Sequence, residues 1–120
     1  MTANFGSPKT WVVQKYIENP LLIMNRKFDI RVWVLVANWN PLQIYLYHDC
    51  YIRFSATDYN AKNVTNMFIH LTNNSISKNC TQTTATSDYF SENMWSLDNF
   101  KTFLAHKFHK DDLWQSTLLP

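Results

Sequence analysis

Only one glycine occurs in the 120 residues, where roughly eight would be ordinary at this length. A P-loop and a G-x-G-x-x-G fingerprint both need several glycines to bring backbone amides against phosphates, so neither can be built here. Any grip on a phosphate has to come from side chains. Charge of one sign is also missing: 11 Lys and Arg face 9 Asp and Glu, a net charge of +2 with no block of like residues. The electrostatic footprint of a dedicated nucleic-acid binder is therefore absent and no nucleic-acid partner is expected. A mildly basic face still suits an acidic protein tail. No apolar run approaches the ~18 residues of a membrane span, and the first ten residues hold no apolar leader, so no membrane contact is expected and the chain reads as soluble and intracellular. The three Asn-X-Ser/Thr sequons, at Asn63, Asn73 and Asn79, fit a secreted glycoprotein poorly without such a leader. Cysteine is scarce. Cys50 and Cys80 stand thirty positions apart, outside any CxxC or Cys/His cluster, so free thiols are expected rather than zinc ligands.

Apolar and aromatic residues are plentiful. Hydrophobic residues make up 46% of the chain, with five Trp, six Tyr and eight Phe, enough for the core of one domain. No internal repeat is visible. The Thr/Ser-rich run at 78–87 reads as a mobile loop, within a segment (78–90) that is expected, like 1–10, to be flexible. Residues 11–17 form a short β-prone run that Pro20 turns or ends, giving a strand leading into a bend. Strict alternation over 27–36 then places Phe28, Ile30, Val32, Val34 and Val36 on one strand face and Lys27, Asp29, Arg31, Trp33 and Leu35 on the other. Turn residues at 38–41 precede a tyrosine-rich returning arm at 43–54, so an antiparallel hairpin is expected. A polar loop at 56–66 leads to a further short strand at 67–71. Near the end, Ser96 is an N-cap candidate for a core-facing helix with Leu97, Phe100, Leu104 and Phe108 at helical spacing. The predicted fold class is α/β in the α+β sense: an antiparallel β-sheet with a C-terminal helix.

The most informative residues are Lys27, Asp29 and Arg31, a cation, an anion and a second cation on one strand face at steps of about 7 Å. Lysine offers phosphate a point charge, arginine a bidentate fork, and a carboxylate can hold Mg²⁺ directly or through water. The same row also fits a solvated strand face with cross-strand ion pairs. Gln14, Lys15, Tyr16 and Ile17 end their run before the bend, where backbone groups can pair with a flat heteroaromatic while Ile17 packs on its face. Arg53, beside Tyr51, is either a carboxylate clamp or a surface cation. The string from His70 through Thr72 and Asn73 to Ser75 gathers small hydrogen-bonding side chains that suit ligand contacts and equally suit a turn. No Ser/His/Asp triad, glycosidase-like carboxylate pair or metal-ligand set stands out.

Together, QKYIENPLLI (14–23), RKFDIRVWVLV (26–36), YIRFS (51–55) and HLTNNSI (70–76) resemble, in order and spacing, the tubulin tyrosine ligase-like family over most of the chain. The resemblance implies an ATP-grasp-like domain, of which the chain holds the central portion, and an ATP- and Mg²⁺-dependent ligase that works through an acyl phosphate. By motif, Gln14, Lys15, Tyr16 and Ile17 resemble the hinge that contacts adenine, and Lys27 and Asp29 the nucleotide contacts. Arg31 would lie beside the phosphates, and Arg53 resembles the arginine that holds a substrate carboxylate. Thr72 and Asn73 resemble residues near ATP and its metal.

WNPLQIYLY before YIRFS, Asn74 where glutamate-adding relatives often have Tyr, and NMWS at 93–96 look most like the glycine-adding branch. The implied partners are glycine and the C-terminal tails of tubulin in microtubules, and the implied location is the cytoplasmic cytoskeleton, including the axoneme of cilia. Asn25 departs from a glycine common in relatives, and asparagine also tolerates left-handed backbone. The family's upstream lysines, its glycine-containing nucleotide loop and its downstream acidic and asparagine metal ligands have no counterpart here. The chain is accordingly expected to form one wall of a site and to be inactive alone. A glutamate-adding ligase, a non-catalytic tubulin-binding module and an unrelated β-rich interaction domain are the alternatives.

Overall fold

The alternation beginning at Phe28 builds a hairpin. In the computed structural model, which describes residues 10–81, 93–110 and 112–118, β1 (Phe28–Trp39) pairs antiparallel with β2 (Leu42–Phe54). A third strand, β3 (Met94–Ser96), adds to the other side of β2, so the sheet order is β1-β2-β3. Phe28 stands opposite Phe54, Ile30 opposite Ile52 and Val32 opposite Cys50. Those side chains meet a helix whose Leu97, Phe100 and Leu104 are buried, together with Trp95 and Trp114. The predicted antiparallel sheet with a helix near the C-terminus is thus present.

That helix, α3 (Leu97–Phe108), starts where a hydroxyl cap should start it. The Ser96 side chain accepts a hydrogen bond from the Asn99 amide at 3.3 Å, satisfying one of the first-turn donors. Asp98 in the first turn and His106 and Lys107 in the last complement the helix dipole. Phe108, expected in the core, is 41% exposed because the helix runs out beyond the sheet and ends at left-handed His109. After it, a π-helical turn at Trp114–Leu118 brings Trp114 edge-on to Phe100, with ring centroids 6.0 Å apart.

Two expected strands are not strands. Residues 11–17 run without ladder partners, and Trp11, Val12 and Val13 are 82 to 94% exposed; β-prone side chains do not make a strand without a neighbouring edge. Residues 67–71 instead contain a helical turn, α1 (Met67–His70), because the Asn66 side chain caps the Phe68 amide at 3.0 Å. A second turn, α2 (Asn74–Ser77), follows Asn73 and continues through Lys78 and Asn79 in hydrogen-bonded turns. Of the segments expected to be flexible, 1–10 and 78–90, residues 1–9 and 82–90 lie outside the described residues.

Ahead of β1, Ile23 and Arg26 exchange backbone hydrogen bonds of 3.1 and 2.9 Å around Met24 and Asn25. Both central residues have positive φ, 52° and 61°, as a type I′ turn demands. Asn25 therefore takes the left-handed conformation that its sequence position suggested. Asn25→Gly is expected to be nearly neutral, whereas Asn25→Val should cost about 1–2 kcal/mol because a β-branched residue strains left-handed backbone. Urea midpoints of the two variants check this.

Past Val32 the hairpin leaves the core. The register jumps from Val32 opposite Cys50 to Val34 opposite Leu46, a two-residue bulge at 47–49 that preserves facing because side chains alternate with period two. Val34 and Val36 keep the face of Val32, as the alternation predicted, but lie beyond the core: Val34 is 55% exposed and Val36 half-buried. Leu35, Tyr45, Leu46 and Tyr47 are exposed as well and line an open cleft of about 500 Å³ with Trp33 and Val34. An uncharged, two-sided apolar arm is an association hazard. Sedimentation velocity is expected to show concentration-dependent self-association that paired Leu35→Lys and Leu46→Lys substitutions reduce.

Candidate functional site

The face of the sheet opposite α3 is polar, and it collects residues far apart in sequence. Asp29 and Arg53 are cross-strand partners, so their side chains project side by side. The Arg53 guanidinium grips the carboxylate with both arms, Nε donating to Oδ1 at 2.8 Å and Nη2 to Oδ2 at 2.6 Å. The Thr72 hydroxyl donates to the same Oδ2 at 2.7 Å. Thr72 is buried, so this bond also fastens the segment between α1 and α2 onto the sheet.

Desolvation alone would raise the Asp29 carboxyl. Hydrogen bonds from Arg53 and Thr72, with the charges of Arg53 and Arg31, outweigh it and hold the group below the ordinary carboxylate range. The hydrogen bond to Asp29 in turn raises Arg53. The pair is ionised and mutually satisfied at neutral pH.

Lys27 sits just before β1, where its backbone carbonyl accepts from the Ser55 amide at 2.8 Å. Its ammonium lies 4.3 Å from the centre of the Tyr16 ring and donates to the Tyr16 hydroxyl at 3.1 Å. The Tyr16 hydroxyl is 2.6 Å from His70 Nδ1, and His70 Nε2 is 2.7 Å from the Asn63 carbonyl oxygen. His70 stands between two tyrosines, edge-on to Tyr16 at 5.5 Å and to Tyr59 at 5.7 Å. Further along β1 the Arg31 guanidinium lies 5.1 Å from the centre of the Trp33 ring.

Lys27, Asp29, Arg31, Arg53 and Thr72 thus gather around one sheet face, with Tyr16 reaching it from the preceding segment. Gln14, Lys15 and Ile17 are exposed and make no hydrogen bond to this face among the described residues. Asn73 follows Thr72 as the exposed N-cap position of α2 and makes no side-chain capping bond. Sequence reasoning passed over His70 as an individual site residue, and over Tyr59 and Arg26. Tyr59 lies in an aperiodic loop that gives no pattern to read. Arg26 donates to the Ser55 carbonyl at 2.6 Å and also bonds the Asn93 side chain, so it ties the end of β2 to the start of β3. Burial pushes the Cys50 thiol up, helped by Asp49, which suits a core residue rather than a nucleophile.

Three cations against one carboxylate make this face suitable for a polyanion such as a triphosphate. A metal is another matter. Asp29 already accepts three hydrogen bonds on a carboxylate with about four acceptor positions, and among the described residues no group of three His, Cys, Asp or Glu is placed to hold an ion. No described helix is long and apolar enough to cross a membrane.

Residues 4–120 match the model of the tubulin-tyrosine ligase family. The chain belongs to this family. Among curated proteins it is similar to tubulin glycylase 3C of Tetrahymena thermophila, 66% identical over 57% of the chain and 6% of that protein. It is 52% identical to tubulin glycylase 3D of the same organism over 77% of the chain and 9% of the relative. With human tubulin monoglycylase TTLL3 it shares 43% identity over 92% of the chain and 14% of the relative. This member of the tubulin-tyrosine ligase family therefore spans less than a sixth of the length of these glycylase relatives. The four sequence strings that carried the resemblance fall together in its fold: two of them cross in the Asp29–Arg53 pair, and a third supplies Thr72.

Proposed function

We propose that this chain is a segment of an ATP-dependent ligase that joins glycine to glutamate side chains in the C-terminal tails of tubulin, acting on microtubules of the cytoskeleton and cilium within an ATP-grasp-like domain. The supporting observation is the convergence of Lys27, Asp29, Arg31, Arg53 and Thr72 on one sheet face in a chain whose similar relatives are glycylases. When bound with Mg²⁺, ATP supplies the phosphoryl group that activates the glutamate carboxylate, as an acyl phosphate, for attack by the glycine amine.

The chain's own residues have simpler tasks. Lys27 and Arg31 attract and orient phosphate oxygens from one side. Asp29 fixes the fork of Arg53, so that the outer edge of the guanidinium is presented in one orientation to a substrate carboxylate. Thr72 locks Asp29 from behind, Asn73 borders the same face, and residues 14–17 border the adenine. The metal ligands belong to residues outside those described.

The test is incorporation of radiolabelled glycine into tubulin with ATP and Mg²⁺, run for this chain and for the longest natural protein that contains it, beside radiolabelled glutamate. Glycine incorporation by the longer protein, lost without ATP, supports the reading. Preference for glutamate would move the protein to the glutamate-adding class, and no incorporation of either would leave a binding module.

A further inference from the structure

Lys27 is held by a chain of hydrogen bonds whose direction can be worked out. The Asn63 carbonyl can only accept, so His70 Nε2, 2.7 Å away, carries the proton. In the neutral ring Nδ1 is then an acceptor, and the Tyr16 hydroxyl at 2.6 Å donates to it. With its own proton committed, the Tyr16 oxygen turns its lone pairs to the Lys27 ammonium at 3.1 Å. Every donor in the sequence Lys27, Tyr16, His70 points the same way and ends on the backbone of Asn63, an arrangement in which each bond strengthens the next.

We infer that His70 is a positioning residue that holds the Lys27 ammonium in place through the Tyr16 hydroxyl. Lysine carries a flexible stem with about 2 kcal/mol of rotamer entropy, and the ring contact with Tyr16 at 4.3 Å does not by itself fix the ammonium along the ring face. The Tyr16 hydroxyl supplies that second restraint, and its own orientation is set by His70 between the two tyrosine rings. The loop at Asn63 is thereby linked to the residue just before β1 through His70 and Tyr16. The consequence for nucleotide binding rests on the proposed role of Lys27; the holding of Lys27 does not.

Competitive acylation of lysine amines, read by peptide mass spectrometry on the folded protein, separates the two. Labelling of Lys27 relative to the other lysines is expected to rise about three- to tenfold in Tyr16→Phe and in His70→Leu, the factor that goes with losing one solvent-exposed hydrogen bond of ordinary strength. His70→Asn should restore protection, because its amide oxygen can accept from Tyr16 where Nδ1 did. Tyr16→Phe removes a single hydroxyl from a partly exposed ring, so it decides the matter even where His70→Leu fails to fold. Unchanged Lys27 labelling in folded Tyr16→Phe overturns the inference. In the active ligase, Lys27→Met and, more weakly, His70→Leu should raise KM for ATP with kcat largely kept. An unchanged KM in Lys27→Met overturns the nucleotide role of Lys27, while the labelling result still decides whether His70 positions it.

Discussion

Replacing Phe100 by alanine is expected to remove the cooperative unfolding transition at room temperature. Phe100 is 1% exposed, and its ring meets Phe28 at 5.7 Å and Trp114 at 6.0 Å, so it joins the first residue of β1 to the π-helical turn through α3. Truncating a buried phenylalanine costs about 3–5 kcal/mol, the lost transfer energy plus the cavity left behind. Small domains hold only about 5–15 kcal/mol in total. The core here is a thin layer between one sheet face and one helix, because the outer half of the hairpin contributes nothing to it. Near-ultraviolet circular dichroism reports the outcome through the buried Trp95 and Trp114. Phe100→Leu, which nearly conserves volume, should lose about 1 kcal/mol and keep the transition. A folded Phe100→Ala with an unchanged midpoint would show that α3 is not what holds the sheet.

Asp29→Ala is expected to lower ligation by about a hundredfold or more in the active ligase, the scale at which misplaced positioning groups cost rate. The substitution removes the anchor of Arg53 and Thr72 together, so two elements of the face lose their orientation at once. Stability should fall by about 1–2 kcal/mol, less than for a fully buried pair because the Asp29 side chain is 38% exposed. The pH dependence has a definite sign. A carboxyl whose folded value is lowered contributes stability that is fully present above its unfolded value and is lost as pH falls through the folded one. The gap between the wild type and Asp29→Asn should therefore be largest above about pH 4, the ordinary aspartate range, and should close in stronger acid. Urea titrations across that window check the sign, and a gap that widens in acid would refute the assignment. Arg53→Lys should reproduce much of the loss, since an ammonium cannot replace a two-armed grip.

The inner part of the hairpin was legible in the sequence because one face from Phe28 to Val32 is half-buried against the core and period two leaves a plain trace. Helix α3 was legible for the same reason at helical spacing, with Ser96 marking its start. Residues 11–17 misled because β-branched and aromatic side chains signal a strand only when an edge is available to pair with. At 67–71 the apolar run Met67, Phe68 and Ile69 looked like a strand, while the deciding feature was the cap offered by Asn66. The short β3 gave no warning, since three residues are too few to show alternation.

The individual members of the polar face could be named from their chemistry. That Asp29 and Arg53 would grip each other could not, because cross-strand register depends on the bulge and on where the turn closes. His70 escaped notice for a related reason: its role is visible only when Tyr16, Asn63 and Lys27 have been brought around it.

The bulge at 47–49 also sets a rule for how the hairpin can change length. Removing two residues there would straighten the ladder and leave Val34 and Val36 on the side they now occupy. Removing one would turn over the outer residues of β2 against β1, bringing Tyr45 and Tyr47 to the side that Ile44 and Leu46 now share with those valines. Insertions and deletions in this stretch are therefore tolerated in even steps and penalised in odd ones, so the arm can grow or shrink while whatever it touches meets the same side.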